Sequence, residues 1–343
     1  MSNLKSYEYH LPKKLIAQRP ASKRDASRLL NIHRDDKSVT HLKFRDFPSL
    51  LNSNDLLVIN DSAVFPARLK ARRSTGATIE ILLVRNLGKG AWTALIKGIR
   101  RLHVGERLRV GESHLTLMQK HDTGSAEICF ESSGDSKDTV AQYGMIPLPP
   151  YISRPNDETD KEDSVRYQTV FATQPGSCAA PTAGLHFTKE IIHSIKTRGV
   201  KIVNITLHVG PGTFRPIKSD NIDDHIIDNE LYSVSTSAAQ AINKTKSEGG
   251  RIVAVGTTAV RTLESTAVNG LVEPGNGETN LLIKPGHKFE VVDALLTNFH
   301  LPKSTLLMLV AAFSGREFIV NIYNQAIKKG YRFYSYGDCM FIQ

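Results

Sequence analysis

A chain of 343 residues, 40% of them hydrophobic, exceeds what one hydrophobic core usually serves and predicts two domains, or one large domain carrying an insertion. Its 44 Lys+Arg against 34 Asp+Glu give a formal charge of +10, an excess that favours a polyanionic partner such as nucleic acid, although a modest basic surplus also serves solubility alone. Three scattered cysteines, Cys129, Cys178 and Cys339, exclude a CxxC redox pair, a zinc site and a cluster-binding triad. A polar, charged N-terminus and the lack of any run of roughly 18 apolar residues lead to the expectation of a cytoplasmic protein that does not use a membrane.

In chain order, the continuous apolar run Leu56–Asn60 ends in Asp61, which predicts a buried strand delivering a polar residue at its carboxyl end. From Lys70 to about Glu131 the sequence breaks into short strand-like pieces (TIEILLV, AWTALI, RLRV, HLTL, AEICF). Turns at Gly76, Gly88, Gly90, Gly105, Gly111 and Gly124 separate them, the pattern of a small all-β barrel or sandwich inserted into something else. After Tyr151 the acidic run RPNDETDKEDS reads as an exposed loop, and helix and strand signals then alternate, so the second region is α/β.

Thr188 can cap a helix whose Ile191, Ile192 and Ile195 share one face and which Gly199 ends. The strand from Val200 to Val209 then points Val203, Ile205, Leu207 and Val209 one way and Asn204, Thr206 and His208 the other. The apolar strand starting at Ile252 runs into Gly256, Thr257 and Thr258, where a helix is expected to begin, with Val260, Leu263 and Ala267 at helical spacing. Ser304 precedes the apolar helix TLLMLVAAF, and Phe318, Ile319, Ile322, Tyr323 and Ala326 describe one more, closed by Gly330.

Candidate chemistry concentrates between Gly176 and Pro216. GSCAAPTAGLHF carries little bulk and little charge, so its backbone N–H groups can approach a ligand closely. Thr182 and Gly184 lie within it, and His186 ends it just before a helix start, where a packed structural histidine is the competing reading. HVGPGTFRP sets His208, Gly210, Gly212 and Thr213 where a strand ends, the place at which open α/β sheets and barrels put ligands. Asp224, His225, Asp228 and Glu230 form an acidic cluster able to supply a general base or grip a cation, with an exposed acidic turn as the alternative.

Arg261 shares a helix face with the anion-friendly start at Thr257 and Thr258, and Asn298 and His300 again follow an apolar run. Four polar strand ends thus point to one pocket at one end of a sheet or barrel. No Walker loop, HExxH or GxSxG elbow occurs. Basic residues Lys70, Arg72, Arg73, Lys97, Arg100, Arg101, Arg107 and Arg109 crowd the inserted β region, and Arg19, Lys23, Arg24 and Arg28 sit near the start. Such a platform suits backbone phosphates; a solvated charged face is the plainer reading.

In order along essentially the whole chain, LPKKLIAQRP with RDASRLL, VINDSAVFPARL, GMIPLPPYI, YQTVFA with GSCAAPTAGLHF, LHVGPGTFRPI, VGTTAVRTLES, VDALLTNFHLPKSTLLMLVAAFSG and YRFYSYGDCMFI resemble the S-adenosylmethionine:tRNA ribosyltransferase-isomerases of queuosine biosynthesis. The resemblance implies an α/β-barrel-like main domain, residues 1–65 together with 151–343, interrupted by an inserted β-barrel domain over 66–150. It implies transfer of the ribosyl part of S-adenosylmethionine to the 7-aminomethyl-7-deazaguanine base at the wobble position of the tRNA anticodon loop. Epoxyqueuosine, adenine and methionine would result, with S-adenosylmethionine consumed as a substrate and no metal required.

A sulfonium acidifies the neighbouring 5′ carbon, so a positioned base can draw a proton there and expel adenine; the amine of the modified base then attacks and methionine leaves. Candidate bases are His186, His208, His225 and Glu230. Candidate substrate-binding residues are Asp61, Arg68, Thr182, Gly184, Gly210, Gly212, Thr213, Thr257, Thr258, Arg261, Asn298 and His300, with Arg261 and the Thr257–Thr258 helix start expected to hold the methionine carboxylate or developing charge. Where the family pattern carries a basic residue, a second histidine and an aliphatic residue, this chain has Ala63, Asp228 and Cys178. The expected protein works as a monomer on tRNA and S-adenosylmethionine. A tRNA-binding member that has lost catalysis and an S-adenosylmethionine-dependent methyltransferase are the rival readings.

Overall fold

The computed structural model describes residues 4–121, 124–131, 135–154, 161–214, 222, 225 and 227–343. The apolar runs become the middle of a nine-stranded mixed sheet. Four parallel strands form its centre, in the spatial order Lys201–Leu207, Leu56–Asn60, Ile252–Val255 and Ala294–Asn298. Alternate residues of these strands serve two separate cores: Leu56, Val58, Ile252 and Ala254 face helices 236–247, 257–265 and 305–314, whereas Leu57, Ile59, Val253 and Val255 pack with Phe44, Phe187 and helix 189–197. Burial on both faces is what a continuous apolar strand requires.

The sheet is open, which corrects the expectation of an α/β-barrel-like main domain. Strands of mixed direction finish both sides: Glu230–Val234 and Gly275–Thr279, antiparallel in turn, beyond 201–207, and beyond 294–298 the antiparallel Cys339–Ile342, then Arg28–Ile32 parallel to it, then Val39–Lys43 antiparallel to that. The edge strands 275–279 and 39–43 do not pair with each other, so the ring is not closed. The strand at 339–342 slots between 294–298 and 28–32, so the C-terminal residues hold the N-terminal hairpin in the sheet.

The inserted β region is a closed six-stranded barrel of Arg68–Arg72, Thr78–Gly88, Ala91–Ile96, Arg107–Val110, Ser113–Lys120 and Ser125–Phe130. Strict alternation along 91–96 and 125–130 turns every second side chain inward, and Leu69, Ile81, Leu83, Leu108, Leu115 and Ile128 fill the interior. The turn glycines at 76, 88, 90, 105, 111 and 124 all have positive φ. Helix 135–143 closes one end of the barrel, burying Val140 and donating a hydrogen bond from Thr139 Oγ1 to Ser113 Oγ at 2.6 Å.

Helix 189–197 has Thr188 as its N-cap, accepting from Ile191 N at 3.2 Å, and helix 305–314 has Ser304 in the same role. Two elements differ from expectation. Helix 257–265 stops before Ala267, because Asn269 and Gly270, both at positive φ, turn 267–268 and 271–272 into a small hairpin. In the acidic run after Tyr151, Arg154 and Asp163 are not surface groups: they form a bidentate ion pair at 2.6 and 2.7 Å with Asp163 fully buried, and Tyr336 OH donates to the same carboxylate at 2.8 Å. No single helix among the described residues is long and apolar enough to cross a membrane.

The barrel joins the main body through Pro66 and Gly144. A Cβ at 144 would lie 2.2 Å from the Pro66 carbonyl oxygen and 2.3 Å from that of Val140. Gly144→Ala is therefore expected to lower unfolding stability by about 1–3 kcal/mol, the usual cost of forcing an extra methyl into a packed junction; a denaturant titration with an unchanged midpoint would show the junction to be loose.

Candidate active site

Two residues at the carboxyl end of the central strand organise the site. Asn60 Nδ2 donates to Leu207 O at 2.9 Å, while its Oδ1 accepts from Leu207 N at 3.1 Å and Ser62 N at 3.0 Å. Asp61 is buried, and its carboxylate accepts from Thr206 Oγ1 at 2.7 Å and Thr173 Oγ1 at 3.0 Å. Its backbone carbonyl takes the N–H groups of Thr173 and Gln174 at 2.8 and 3.1 Å. Asp61 is thus tied to the protein through both its side chain and its carbonyl, and these bonds bring segment 174–177 back alongside 62–64.

That return strand positions His208. Ser177 Oγ accepts from Val209 N at 2.9 Å, and Cys178 N donates to Val209 O at 2.9 Å. Gly176, at φ +140°, has no side chain to collide with the His208 ring, whose atoms would lie 3.0 Å from a Cβ. His208 is half-buried, its Nδ1 has no hydrogen-bond partner among the described residues, and burial lowers its pKa against the opposing pull of the Asp61 carboxylate. The imidazole is accordingly neutral near pH 7 and able to accept a proton.

His208 lines a cleft of about 690 Å³ between the barrel and the main body, a volume suited to a nucleoside-sized ligand. Gly176, Cys178, Gly210 and Glu230 come from the main body, Phe65 and Pro66 from the connection, and Trp92 and Lys137 from the barrel and its capping helix. Phe65 and Trp92 stack with centroids 5.7 Å apart, making one wall of the cleft apolar. Trp92 is the chain's one tryptophan, and its place on an alternating strand was the signal that could have marked it. Burial and then Glu230 push the Cys178 thiol up to about 12, so it is a protonated, apolar filler in the aliphatic position of the pattern.

Glu230 and Arg261 form a buried ion pair that floors the cleft. Glu230 Oε1 also accepts from Gly210 N at 2.8 Å, and Arg261 donates from Nε to Leu281 O at 3.1 Å and from Nη2 to Thr279 O at 3.4 Å. Arg261 is therefore committed to Glu230 and two carbonyls, which departs from the expectation that it holds a substrate carboxylate. On the far side of the pair lies a pocket of about 50 Å³ lined by Gly212, His225, Asp228 and Leu281. A Cβ at Gly212 would fall 2.3 Å from Asp228 Oδ2, so glycine there lets the two loops touch.

The remaining polar strand ends do not join this cleft. His186 is buried against the Phe44 ring, with Asn298 Nδ2 donating to its Nε2 at 3.1 Å and its Nδ1 bonded to Ser27 Oγ at 2.7 Å. Both ring nitrogens are occupied, which is the arrangement of a packed histidine. His300 is buried as well, with Nε2 on Thr297 Oγ1 at 2.9 Å and its backbone held by Tyr9 and Tyr323. Thr182 and Gly184 lie in the turn 182–186, packed against the Gly256 entry to the helix that Thr257 and Thr258 begin; a Cβ at 184 would meet Phe171 at 2.6 Å. Arg68 pairs through its backbone with Leu82 and Met145 in the barrel. The Thr213 side chain and Asp224 lie outside the described residues.

An open α/β sheet interrupted by a closed β-barrel, with a histidine-bearing cleft between the two, matches over residues 4–342 the family described as Queuosine biosynthesis protein, and the chain belongs to that family. Similar full-length relatives are S-adenosylmethionine:tRNA ribosyltransferase-isomerases. That of Carboxydothermus hydrogenoformans is 47% identical over 341 residues, and that of Trichlorobacter lovleyi 44% identical over 342, each alignment covering 99% of both chains. The crystal structure of S-adenosylmethionine tRNA ribosyltransferase from Thermotoga maritima is 37% identical with a TM-score of 0.57, covering 98% of this chain and 100% of that one.

Burial holds both His186 and His300 down to about 3. Unfolded, each titrates near 6.5. Below that value the unfolded chain binds protons that the folded chain refuses, so stability is full above pH 6.5 and falls as pH drops towards 3. The expected slope is about 1.4 kcal/mol per pH unit for each histidine; urea titrations at pH 7, 6 and 5 should show it, half that slope would mean that one ring takes up a proton in place, and a flat profile that both do.

Proposed function

We propose that the cleft between barrel and main body is where the chain transfers and isomerises the ribosyl part of S-adenosylmethionine onto the 7-aminomethyl-7-deazaguanine base at the tRNA wobble position. Epoxyqueuosine-tRNA, adenine and methionine are the products. Membership of the family supports the reaction, and His208 carries the placement: a neutral imidazole that lines the cleft, its buried Nδ1 without a hydrogen-bond partner among the described residues. In this reading 66–150 is an inserted domain that makes one wall of the site, the protein acts in the cytoplasm, and S-adenosylmethionine is a substrate rather than a retained cofactor.

His208 removes a proton from the 5′ carbon beside the sulfonium, the bond to adenine breaks, the amine of the modified base attacks the resulting sugar, and methionine leaves. The depressed pKa keeps the imidazole in its basic form through neutral pH. Glu230, held by Gly210 N and Arg261, positions the 208–212 loop. Phe65 and Trp92 offer an apolar face to a heterocycle.

With tRNA carrying the deazaguanine precursor, adenine and methionine should appear together in equal amounts. S-adenosylhomocysteine instead would make the protein a methyltransferase, and binding without turnover would make it a non-catalytic member. His208→Ala should lower kcat by about 10²–10⁴ while leaving the unfolding midpoint in place. The acid limb of the wild-type kcat profile should lie below pH 6.5, since burial moves His208 in that direction; a variant of undiminished kcat would remove His208 from the reaction.

A further inference from the structure

The barrel closes through a single opposed pair. Strands 68–72 and 107–110 meet in register only at Arg72 and Arg109, and Arg109 lies in turn directly opposite His114. Directly opposed residues of antiparallel strands project to the same side. Ala71, Leu108, Val110 and Leu115 occupy the interior, so Arg72, Arg109 and His114 form a row across three strands on the outer surface, with both arginines exposed.

Like charges set opposite one another destabilise a sheet. The cations next to them along the two strands each have an acid beside them: Arg73 grips Glu106 at 2.6 and 3.0 Å, Arg107 forks onto Glu131, and Lys70 stands opposite Glu80. Neither Arg72 nor Arg109 has an ion-pair partner among the described residues. Among these immediate neighbours, the two that close the ring are the ones with no acid beside them.

The seam also lies beside the cleft. The turn joining its second and third strands carries helix 135–143, with Thr139 bonded to Ser113 and the Tyr143 ring over Gly111. The same helix turns Ser136, Lys137, Val140 and Ala141 towards the cleft. The helix that packs on the turn of the seam is thus also part of the lining of the cleft.

We propose that the Arg72–Arg109 seam, flanked by His114, binds the phosphodiester backbone of the tRNA beside the nucleotide presented in the cleft; this rests on the reading of the cleft given above. A phosphate between two guanidinium forks accepts hydrogen bonds from both and converts their repulsion into attraction. Phosphate recognition of this kind fixes register without reading sequence.

Charge swaps separate the two effects of the seam. In the full-length protein, Arg72→Glu and Arg109→Glu each set an acid opposite the remaining arginine. Each should hold or raise the unfolding midpoint while weakening tRNA binding at least tenfold at 50 mM salt, with S-adenosylmethionine binding unchanged. The slope of log affinity against log salt should shrink by about 1 for each phosphate no longer neutralised. Arg72→Ala and Arg109→Ala should lower the slope in the same sense, which keeps the test valid if a swapped variant folds poorly. Variants that bind tRNA with wild-type affinity and slope overturn the seam. Wild-type protein that binds tRNA without turnover overturns the reading of the cleft and leaves the seam in place.

Discussion

A carboxylate buried at the end of the central strand is the constraint on which the rest of the site depends. Asp61 is the last point at which the chain still belongs to the parallel sheet, since its N–H bonds Ile205 of the next strand. Its side chain and carbonyl then capture Thr206, Thr173 and Gln174. The chain leaves for the barrel at Pro66, shortly after Asp61, re-enters the main body after Gly144, and at Thr173 and Gln174 comes back to the same residue. A buried charge so fully hydrogen-bonded is costly to disturb. That rigidity is what lets Gly176 sit against the His208 ring with no side chain between them.

Burial assigns different work to chemically identical groups. His186, His208 and His300 all lie near strand ends, yet His186 with both ring nitrogens engaged and His300 with its Nε2 engaged are held neutral down to about pH 3, while His208 lines the cleft with a buried Nδ1 that has no partner among the described residues. Arg261 and Glu230 show the same division. Each would be a ready binding group alone; paired, they become a wall between the large cleft and the small pocket beyond it. A buried ion pair of this kind holds geometry more than it adds stability.

The barrel contributes through position. Its interior is apolar packing in which Trp92 reaches the cleft, and its charged groups lie outside: Lys137 on the capping helix and the opposed arginines at the closing seam. The join through Pro66 and Gly144 is tight enough that the barrel's wall of the cleft is set by backbone packing. Substrate breadth in such a site comes from two bodies meeting, because neither alone encloses it.

Local physics was written plainly in the sequence. LLVIN and IVAV are buried strands, Thr188 and Ser304 are caps, and the glycines of 76–124 are turns, since periodicity, capping chemistry and positive φ act over a few residues. The long motifs, from LPKKLIAQRP to YRFYSYGDCMFI, carried the family. Long-range pairing decided the rest: that the sheet is open because its edge strands 275–279 and 39–43 do not meet, that Asp163 in an acidic run is buried beneath Arg154 and Tyr336, and that Arg261 faces Glu230. No spacing rule could have sorted His208 from His186 and His300, or placed Arg72 against Arg109, because a side chain's partner, burial and charge state are properties of segments that meet only when the chain has folded.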